Sequence, residues 1–175
     1  MVKLRKFVAY RRLERPYTRK SKYKSKSYVK SCPNLVVVRF DMGNAKKQYQ
    51  YTLNLRSKTA LQIRHNAIEA ARQTSNRLLE KSIGPNAYSM KIKIYPHHVL
   101  RENPLASGAG ADRMSMGMSL AFGKPISVAA QVREGQTMFQ LNVDKPHLQV
   151  ARQALQRASY KLPCSCTIEV VVNKK

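Results

Sequence analysis

The sequence is poor in acidic residues and contains no long apolar run. Its 175 residues include only 9 Asp and Glu against 33 Lys and Arg, which gives a formal net charge of +24. A free chain with this charge repels itself, and a polyanionic partner relieves the repulsion. No stretch approaches the roughly 18 apolar residues of a membrane span, and no apolar signal-peptide core follows Met1. We therefore expect nucleic acid, and not a membrane, as the partner.

Cysteine is also scarce. An odd number of cysteines, three, without a secretion signal favours a reducing cytoplasm. Cys164 and Cys166 form a C-x-C pair that only Cys32 could join, whereas structural zinc usually takes four Cys or His ligands. We expect no metal site, and we interpret the pair as flanking the start of a strand with one of the two thiols buried.

Residues 1–30 form a distinct basic arm, and residues 31–175 are expected to form one domain. The arm holds twelve basic residues and one acid, Glu14, with tyrosines interleaved among the cations. Its apolar residues keep no lasting period, so it cannot bury enough surface to fold alone. It could be a solubilising tail. We prefer an arm that orders on RNA phosphates, because a purely solvating tail has no need of aromatic rings.

Short periodic segments predict the rest of the domain. Strands are predicted at residues 35–40, 48–55, 90–95, 127–132, 137–143 and 167–172. A first helix is predicted over residues 57–82 with Ser57 as its cap, and a second follows Asp144. Residues 134–136 predict a hairpin or tight turn. We expect an α+β fold with two helices packed on a mixed or antiparallel sheet.

Residues 96–125 show no sustained period and form a long glycine-bearing loop, which indicates function or disorder. His97 and His98 could suggest a metal or acid–base pair, but adjacent residues on an extended chain point to opposite faces. The glycines near residue 110 match neither a Walker loop nor a dinucleotide fingerprint. RNA contact is the preferred interpretation. An RNA-processing enzyme or a free RNA chaperone that uses the His97/His98 loop remains the alternative.

Two segments resemble a known family. QIRHNAIEAAR at 62–72 and KIKIYPHHVLRENPLASGAGADRMSMGMSLAFGKP at 91–125 are similar to the large-subunit ribosomal protein family called L-sixteen in bacteria and L-ten-e elsewhere. PYTRK at 16–20, FDMGN at 40–44 and KLP at 161–163 resemble its archaeal and eukaryotic branch. The similarity covers nearly the whole chain from Tyr10 onward.

The resemblance implies a structural, non-enzymatic protein of the cytoplasmic large ribosomal subunit, with an α/β sandwich fold. Its partners would be large-subunit rRNA, tRNA and neighbouring ribosomal proteins, with no cofactor and no small-molecule substrate. Residues 101–118 would help to position tRNA near the peptidyl-transferase region. The rRNA contacts expected from the arm and the resemblance are Arg5, Arg11, Arg12, Tyr17, Arg19, Lys20, Arg64, His65, Asn66, Arg72, His97, His98 and Lys124. The expected tRNA-facing residues are Arg101, Glu102, Asn103, Ser107, Gly108, Gly110, Asp112 and Arg113.

Overall fold

The computed structural model describes residues 4–6, 8–18, 23, 31–106, 108–110, 115 and 117–173. Most of these residues form short strands and two α-helices. In chain order the elements are β1 (Asp41–Gly43), β2 (Tyr51–Ser57), β3 (Leu61–Arg64), α1 (His65–Ile83), β4 (Tyr88–Ile92), β5 (His98–Glu102), β6 (Lys124–Val132), β7 (Thr137–Val143), α2 (Leu148–Ser159) and β8 (Cys166–Val172).

The strands form two antiparallel sheets. The larger sheet has the order β1-β4-β7-β2-β8, and the smaller has the order β3-β6-β5. Helices α1 and α2 pack against each other; α2 covers the larger sheet, and α1 contacts strands of both sheets. The predicted α+β fold with two helices on antiparallel strands is confirmed, although the strands are divided between two sheets.

Period-two alternation explains the central strands. Leu53 and Leu55 of β2 lie opposite Leu141 and Phe139 of β7, and all four side chains are fully buried. Residues two apart on a strand share a face, so each strand presents an apolar face to the helices. Burial of a side chain of this size contributes about 1.5–3 kcal/mol.

Small residues allow the helices to approach closely. Ala151, Ala154 and Ala158 of α2 and Ala71 and Ser75 of α1 are fully buried. The Ser75 hydroxyl donates to the Ala71 carbonyl at 2.8 Å, so burying it leaves no unpaired polar group.

The predicted strand at residues 35–40 is wrong. Val36 and Val38 are 39% and 77% exposed, and of the three valines only Val37 is buried. The Val36 N–H donates to the Nδ1 atom of His65 at 3.3 Å and does not join a ladder. The preference of β-branched residues for strands is outweighed here, because the segment contacts the start of α1 through His65.

The first helix begins later than predicted. Leu61–Arg64 is strand β3, paired with β6, and α1 begins at His65. Ser57 ends β2, and its hydroxyl donates to the Thr59 carbonyl at 2.6 Å, so it caps no helix. A run as short as residues 61–64 fits a strand as well as a helix, which explains the error.

Two predicted connections also differ. Residues 98–102 form β5, which pairs with β6 so that Glu102 lies opposite Lys124. The irregular connection is therefore residues 103–123, called the loop below. The tight turn at residues 134–136 is confirmed, but the hairpin is wrong because β6 and β7 belong to different sheets.

Asp144 does not cap the second helix with its side chain. Its carboxylate accepts from Lys47 Nζ at 2.7 Å, and a short 3₁₀ turn at Lys145–His147 precedes α2.

The cysteine pair lies at the start of the last strand. Cys166 begins β8 as predicted, but Cys164 and Cys166 are both half-buried, so the prediction of one buried thiol is wrong.

Candidate RNA interface

Two glutamine side chains hold the described part of the N-terminal arm on the smaller sheet. Gln62 donates from Nε2 to the Arg12 carbonyl at 2.7 Å, and its backbone N–H donates to the Arg11 carbonyl at 2.9 Å. Gln131, opposite Gln62 in the β3–β6 ladder, donates to the Glu14 carbonyl at 2.7 Å. These bonds use the main chain of the arm. Arg11 and Arg12 are exposed, so their side chains remain available to an anion.

Further along the arm, the backbone N–H and carbonyl of Tyr17 each form a hydrogen bond with β5. Its N–H donates to Nδ1 of His98 at 2.7 Å, and its carbonyl accepts from the Val99 N–H at 2.8 Å. His98 is only 3% exposed, and burial lowers the pKa of its ring. The lowered pKa favours the neutral ring, which is the form that can accept a hydrogen bond at Nδ1. His98 therefore positions the arm.

At the base of the loop, Arg101 lies against two aromatic rings that also contact each other. Its guanidinium carbon is 3.6 Å from the Phe122 ring centroid and 4.4 Å from the Tyr17 ring centroid. One of its terminal nitrogens also donates to the Phe122 carbonyl at 2.8 Å. The two rings meet edge to face with centroids 5.2 Å apart. We call Tyr17, Arg101 and Phe122 the root stack, because they join the arm, β5 and the end of the loop.

Two further contacts lie at the base of the loop. Glu102 forms an ion pair with Arg5 of the arm. Asn103 donates from Nδ2 to the Gly117 carbonyl at 3.1 Å, which joins the two sides of the loop. The arm thus contacts the base of the loop through an ion pair as well as through the root stack.

The start of α1 adds a cation beside the arm. The Arg64 guanidinium carbon lies 5.7 Å from the Tyr10 ring centroid, and burial lowers the pKa of Arg64 without removing its charge at neutral pH. His65 is 2% exposed and its Nε2 atom lies 3.2 Å from the Ser127 hydroxyl. Its Nδ1 atom accepts from the main chain, as described above. Both ring nitrogens are therefore used inside the domain.

Arg72 forms a two-pronged ion pair within α1. Its Nε and Nη2 atoms donate to the two carboxylate oxygens of Glu69 at 2.8 and 2.6 Å. Gln73 donates to the same carboxylate at 3.0 Å. The Arg72 hydrogen bonds hold the pKa of Glu69 below its ordinary value, and the side chains of Arg72 and Glu69 are only 13% and 10% exposed. Most of this guanidinium is already engaged.

Comparison with known proteins identifies the family. A family model described as ribosomal protein L16p/L10e matches residues 13–169. The chain belongs to this family. The resemblance found in its motifs is thereby confirmed.

Three archaeal relatives of this L16p/L10e chain are each named large ribosomal subunit protein uL16. The Archaeoglobus fulgidus protein is 44% identical over 161 residues, which cover 92% of this chain and 89% of that protein. The Staphylothermus marinus protein is 45% identical over 153 residues, covering 87% and 84%. A Methanococcus maripaludis protein is 41% identical over 173 residues, covering 98% and 96%.

The residues of this L16p/L10e chain that were predicted to contact rRNA or tRNA divide into three groups by their exposure. Those at least partly exposed are Arg5, Arg11, Arg12, Tyr17, Arg64, Asn66, His97, Arg101, Glu102, Asn103, Gly108, Gly110 and Lys124. Those largely enclosed by packing or ion pairing are His65, Arg72 and His98. Those outside the described residues are Arg19, Lys20, Ser107, Asp112 and Arg113. Direct RNA contact by any of them stays a prediction.

The structure adds three residues that the sequence analysis did not assign to the site, although Gln62 and Phe122 lie within the quoted motifs. Gln62 and Gln131 hold the arm, and Phe122 completes the root stack. The glutamines become neighbours only through the β3–β6 register, which no local pattern reveals. An aromatic residue inside a glycine-bearing segment was the one available signal for Phe122.

The two histidines at the base of the loop do not share a site. His97 is exposed, with its ring centroid 4.5 Å from that of Tyr95, whereas His98 is buried against the arm. Across the described part of the chain, no cluster of three or more His, Cys, Asp and Glu residues could hold a metal ion. None of the helices built from those residues is long and apolar enough to cross a membrane.

Proposed function

We propose that this chain is a structural, non-catalytic protein of the cytoplasmic large ribosomal subunit that binds rRNA and positions tRNA. Its membership of the L16p/L10e family and the name shared by its relatives support the assignment to the large ribosomal subunit. The net charge of +24 supports a polyanionic partner. Neutralising phosphates releases condensed counterions, which supplies most of the affinity without any bond chemistry.

The observation that carries the proposal is the connection between arm and loop. Tyr17 and Arg5 of the arm contact Arg101 and Glu102 at the base of the loop. An arm bound to rRNA phosphates therefore fixes the direction in which the loop leaves the domain. The arm binds rRNA, and the loop meets tRNA near the peptidyl-transferase region. Neighbouring ribosomal proteins take the remaining surface.

Exposure separates contact residues from positioning residues. Arg11, Arg12 and Lys124 are exposed cations and contact phosphates in this proposal. His65 and His98 have ring nitrogens engaged inside the domain, so they position the arm and the start of α1. Arg72 is assigned the same positioning role, because its guanidinium is paired with Glu69.

Substitutions that preserve the main chain test this division of labour. Deleting the arm would also remove its hydrogen bonds to Gln62 and His98, so charge removal is the cleaner change. The double variant Arg11→Gln, Arg12→Gln and the loop variant Arg113→Gln are assembled into large subunits that lack this protein. We expect the double variant to weaken assembly and Arg113→Gln to weaken tRNA binding by assembled subunits.

Salt dependence supplies the second readout. Each lost phosphate contact reduces the slope of log affinity against log salt by about 0.7–0.9. The double variant should therefore lower the slope for an rRNA fragment by about 1.5, and Arg113→Gln should leave it unchanged. Equal effects of the two variants on rRNA slope and on tRNA binding would contradict the proposal.

A further inference from the structure

Cys164 and Cys166 lie side by side at the start of β8. Their sulfur atoms are 3.6 Å apart, and Cys166 is the first residue of the strand. Cys164 lies in the bend that precedes the strand, two residues before Cys166, and there its sulfur comes within reach of the Cys166 sulfur. A disulfide bond is about 2.05 Å long, so the sulfurs need to move together by only about 1.5 Å.

One of the two thiols can be reached from outside. Cys164 lines an open cavity of about 620 Å³, together with Arg11 and Arg12 of the arm. Cys166 is half-buried and pairs with Ser57 in the β2–β8 ladder. A small oxidant that enters this cavity meets Cys164, and Cys166 is then within reach of the product.

The pKa values of the two thiols are shifted in opposite directions, which gives the two cysteines different roles in oxidation. A hydrogen bond from the Cys166 thiol lowers the pKa of Cys164 to about 7, and the Ser57 hydroxyl contributes to the same effect. The same interaction raises the pKa of Cys166. Thiolates are the nucleophiles in thiol oxidation, so Cys164 attacks and Cys166 resolves.

We propose that Cys164 and Cys166 are a peroxide-sensitive thiol pair that closes to an intramolecular disulfide. The Cys164 thiolate attacks one oxygen of hydrogen peroxide; the O–O bond breaks and hydroxide leaves, giving a sulfenic acid. The Cys166 thiol then attacks the Cys164 sulfur; the S–S bond forms as the S–O bond breaks, and the Cys166 proton leaves with the hydroxyl group as water. The hydroxide from the first step becomes the second water by taking the proton that Cys164 released on ionisation. Two thiols are oxidised, one peroxide is reduced, and two waters are released in total.

Cys32 provides an internal comparison. It is exposed and lines a different cavity, beside Tyr95 and His97. It can form sulfenic acid or an intermolecular disulfide, but this geometry gives it no intramolecular partner.

The test treats the purified full-length chain with one equivalent of hydrogen peroxide, then alkylates free thiols and maps them by mass spectrometry. We expect the peptide containing Cys164 and Cys166 to lose two hydrogen atoms, and to do so faster than Cys32 is oxidised. Cys32→Ser should leave this product unchanged. Cys166→Ser should stop at a Cys164 sulfenic acid that dimedone traps, and Cys164→Ser should remove the fast reaction.

Two outcomes would overturn the proposal. One is consumption of all three thiols at the same rate. The other is a wild-type product consisting only of Cys32-linked dimers or of sulfinic acid. Because serine is close to cysteine in size, and circular dichroism checks the fold, loss of reaction in Cys164→Ser reports on the thiol itself.

Discussion

The guanidinium carbon of Arg101 lies 3.6 Å from the centroid of the Phe122 ring. These residues stand at the two ends of the loop, and Arg101 also donates to the Phe122 carbonyl at 2.8 Å. Tyr17 covers the guanidinium from the arm at 4.4 Å. One side chain thus joins both ends of the loop to the segment that we propose to be ordered by rRNA.

The first prediction concerns Arg101 itself. Arg101→Ala removes two cation–π contacts and a charge-assisted hydrogen bond, which together are worth about 2 kcal/mol at a partly exposed site. We expect the domain to stay folded, because its main core does not include this residue. Hydrogen exchange at residues 103–123 should rise about tenfold or more, and tRNA binding by assembled subunits should fall.

Arg157→Ala is the matched control, since Arg157 is an exposed arginine on α2, a helix that packs on α1 and the larger sheet. Arg101→Lys separates charge from geometry: it keeps the cation but loses the planar guanidinium that contacts both rings. If Arg101→Ala and Arg157→Ala gave the same loop exchange, the root stack would have no role in ordering the loop.

The second prediction concerns the ion pair in α1. Arg72→Met leaves the Glu69 carboxylate largely enclosed without its main partner, which should destabilise the domain by about 3 kcal/mol at pH 7. Urea unfolding measures this loss. Arg77→Met, at an exposed position of the same helix, should change stability by less than about 0.5 kcal/mol.

The same pair predicts a pH dependence. Because Arg72 lowers the pKa of Glu69, the folded state holds the carboxylate ionised more strongly than the unfolded chain does. This stabilisation is present above the ordinary glutamate pKa of about 4.3 and is lost as pH falls through the lower folded-state pKa. Glu69→Gln should flatten the acid limb of the stability curve. An unchanged acid limb would show that other carboxylates dominate it.

The third prediction concerns His98. Burial lowers the pKa of its ring, so the unfolded chain takes up the proton first as pH falls below about 6.5. The free energy of unfolding should therefore decrease between pH 7 and pH 5. Protonation also removes the Nδ1 acceptor of the Tyr17 N–H, so exchange at that amide should rise over the same range.

His98→Asn keeps an acceptor and removes the titration, so it should flatten part of the pH profile. It should not flatten all of it, because burial lowers the pKa of His65 as well. His97→Asn is the control, since His97 is exposed. A profile altered equally by the His97 and His98 changes would contradict the assignment.

Local periodicity explains which elements the sequence predicted. Strands β2 and β7 alternate because one face is buried against the helices, and the α2 stripe of Ala151, Leu155 and Ala158 follows the helical period. Strand β5 was hidden for the opposite reason. His98, Val99 and Leu100 are all buried, so this strand shows no alternation.

Long-range contacts explain what the sequence could not predict at the candidate site. Gln62 and Gln131 meet only through strand register, and Tyr17 reaches Arg101 only once the arm lies on β5. A cation that contacts two rings from different segments has no fixed spacing along the chain. The motifs therefore indicated residues important for the loop, but not that several of them contact one another and the arm.

The last prediction compares two glycines of the loop, Gly110 and Gly123. Both have positive φ, +81° and +76°, which side chains disfavour by about 1–2 kcal/mol. Among the residues that the structure describes, a Cβ at Gly110 would meet nothing within 4 Å, whereas a Cβ at Gly123 would lie 2.7 Å from the Glu102 carbonyl carbon. Gly110→Ala should therefore cost only the backbone term, a fall in Tm of about 2–8 °C.

Gly123→Ala must also separate the ends of β5 and β6, where Glu102 lies opposite Lys124. We expect at least about twice the loss in Tm, with faster amide exchange in residues 101–103 and 123–125. The expected exchange pattern is specific to the clash, because a general loss of stability would raise exchange throughout the smaller sheet. Equal Tm losses and equal exchange in the two variants would mean that the loop base tolerates a side chain at Gly123, and that the close approach to Glu102 is not what fixes the loop.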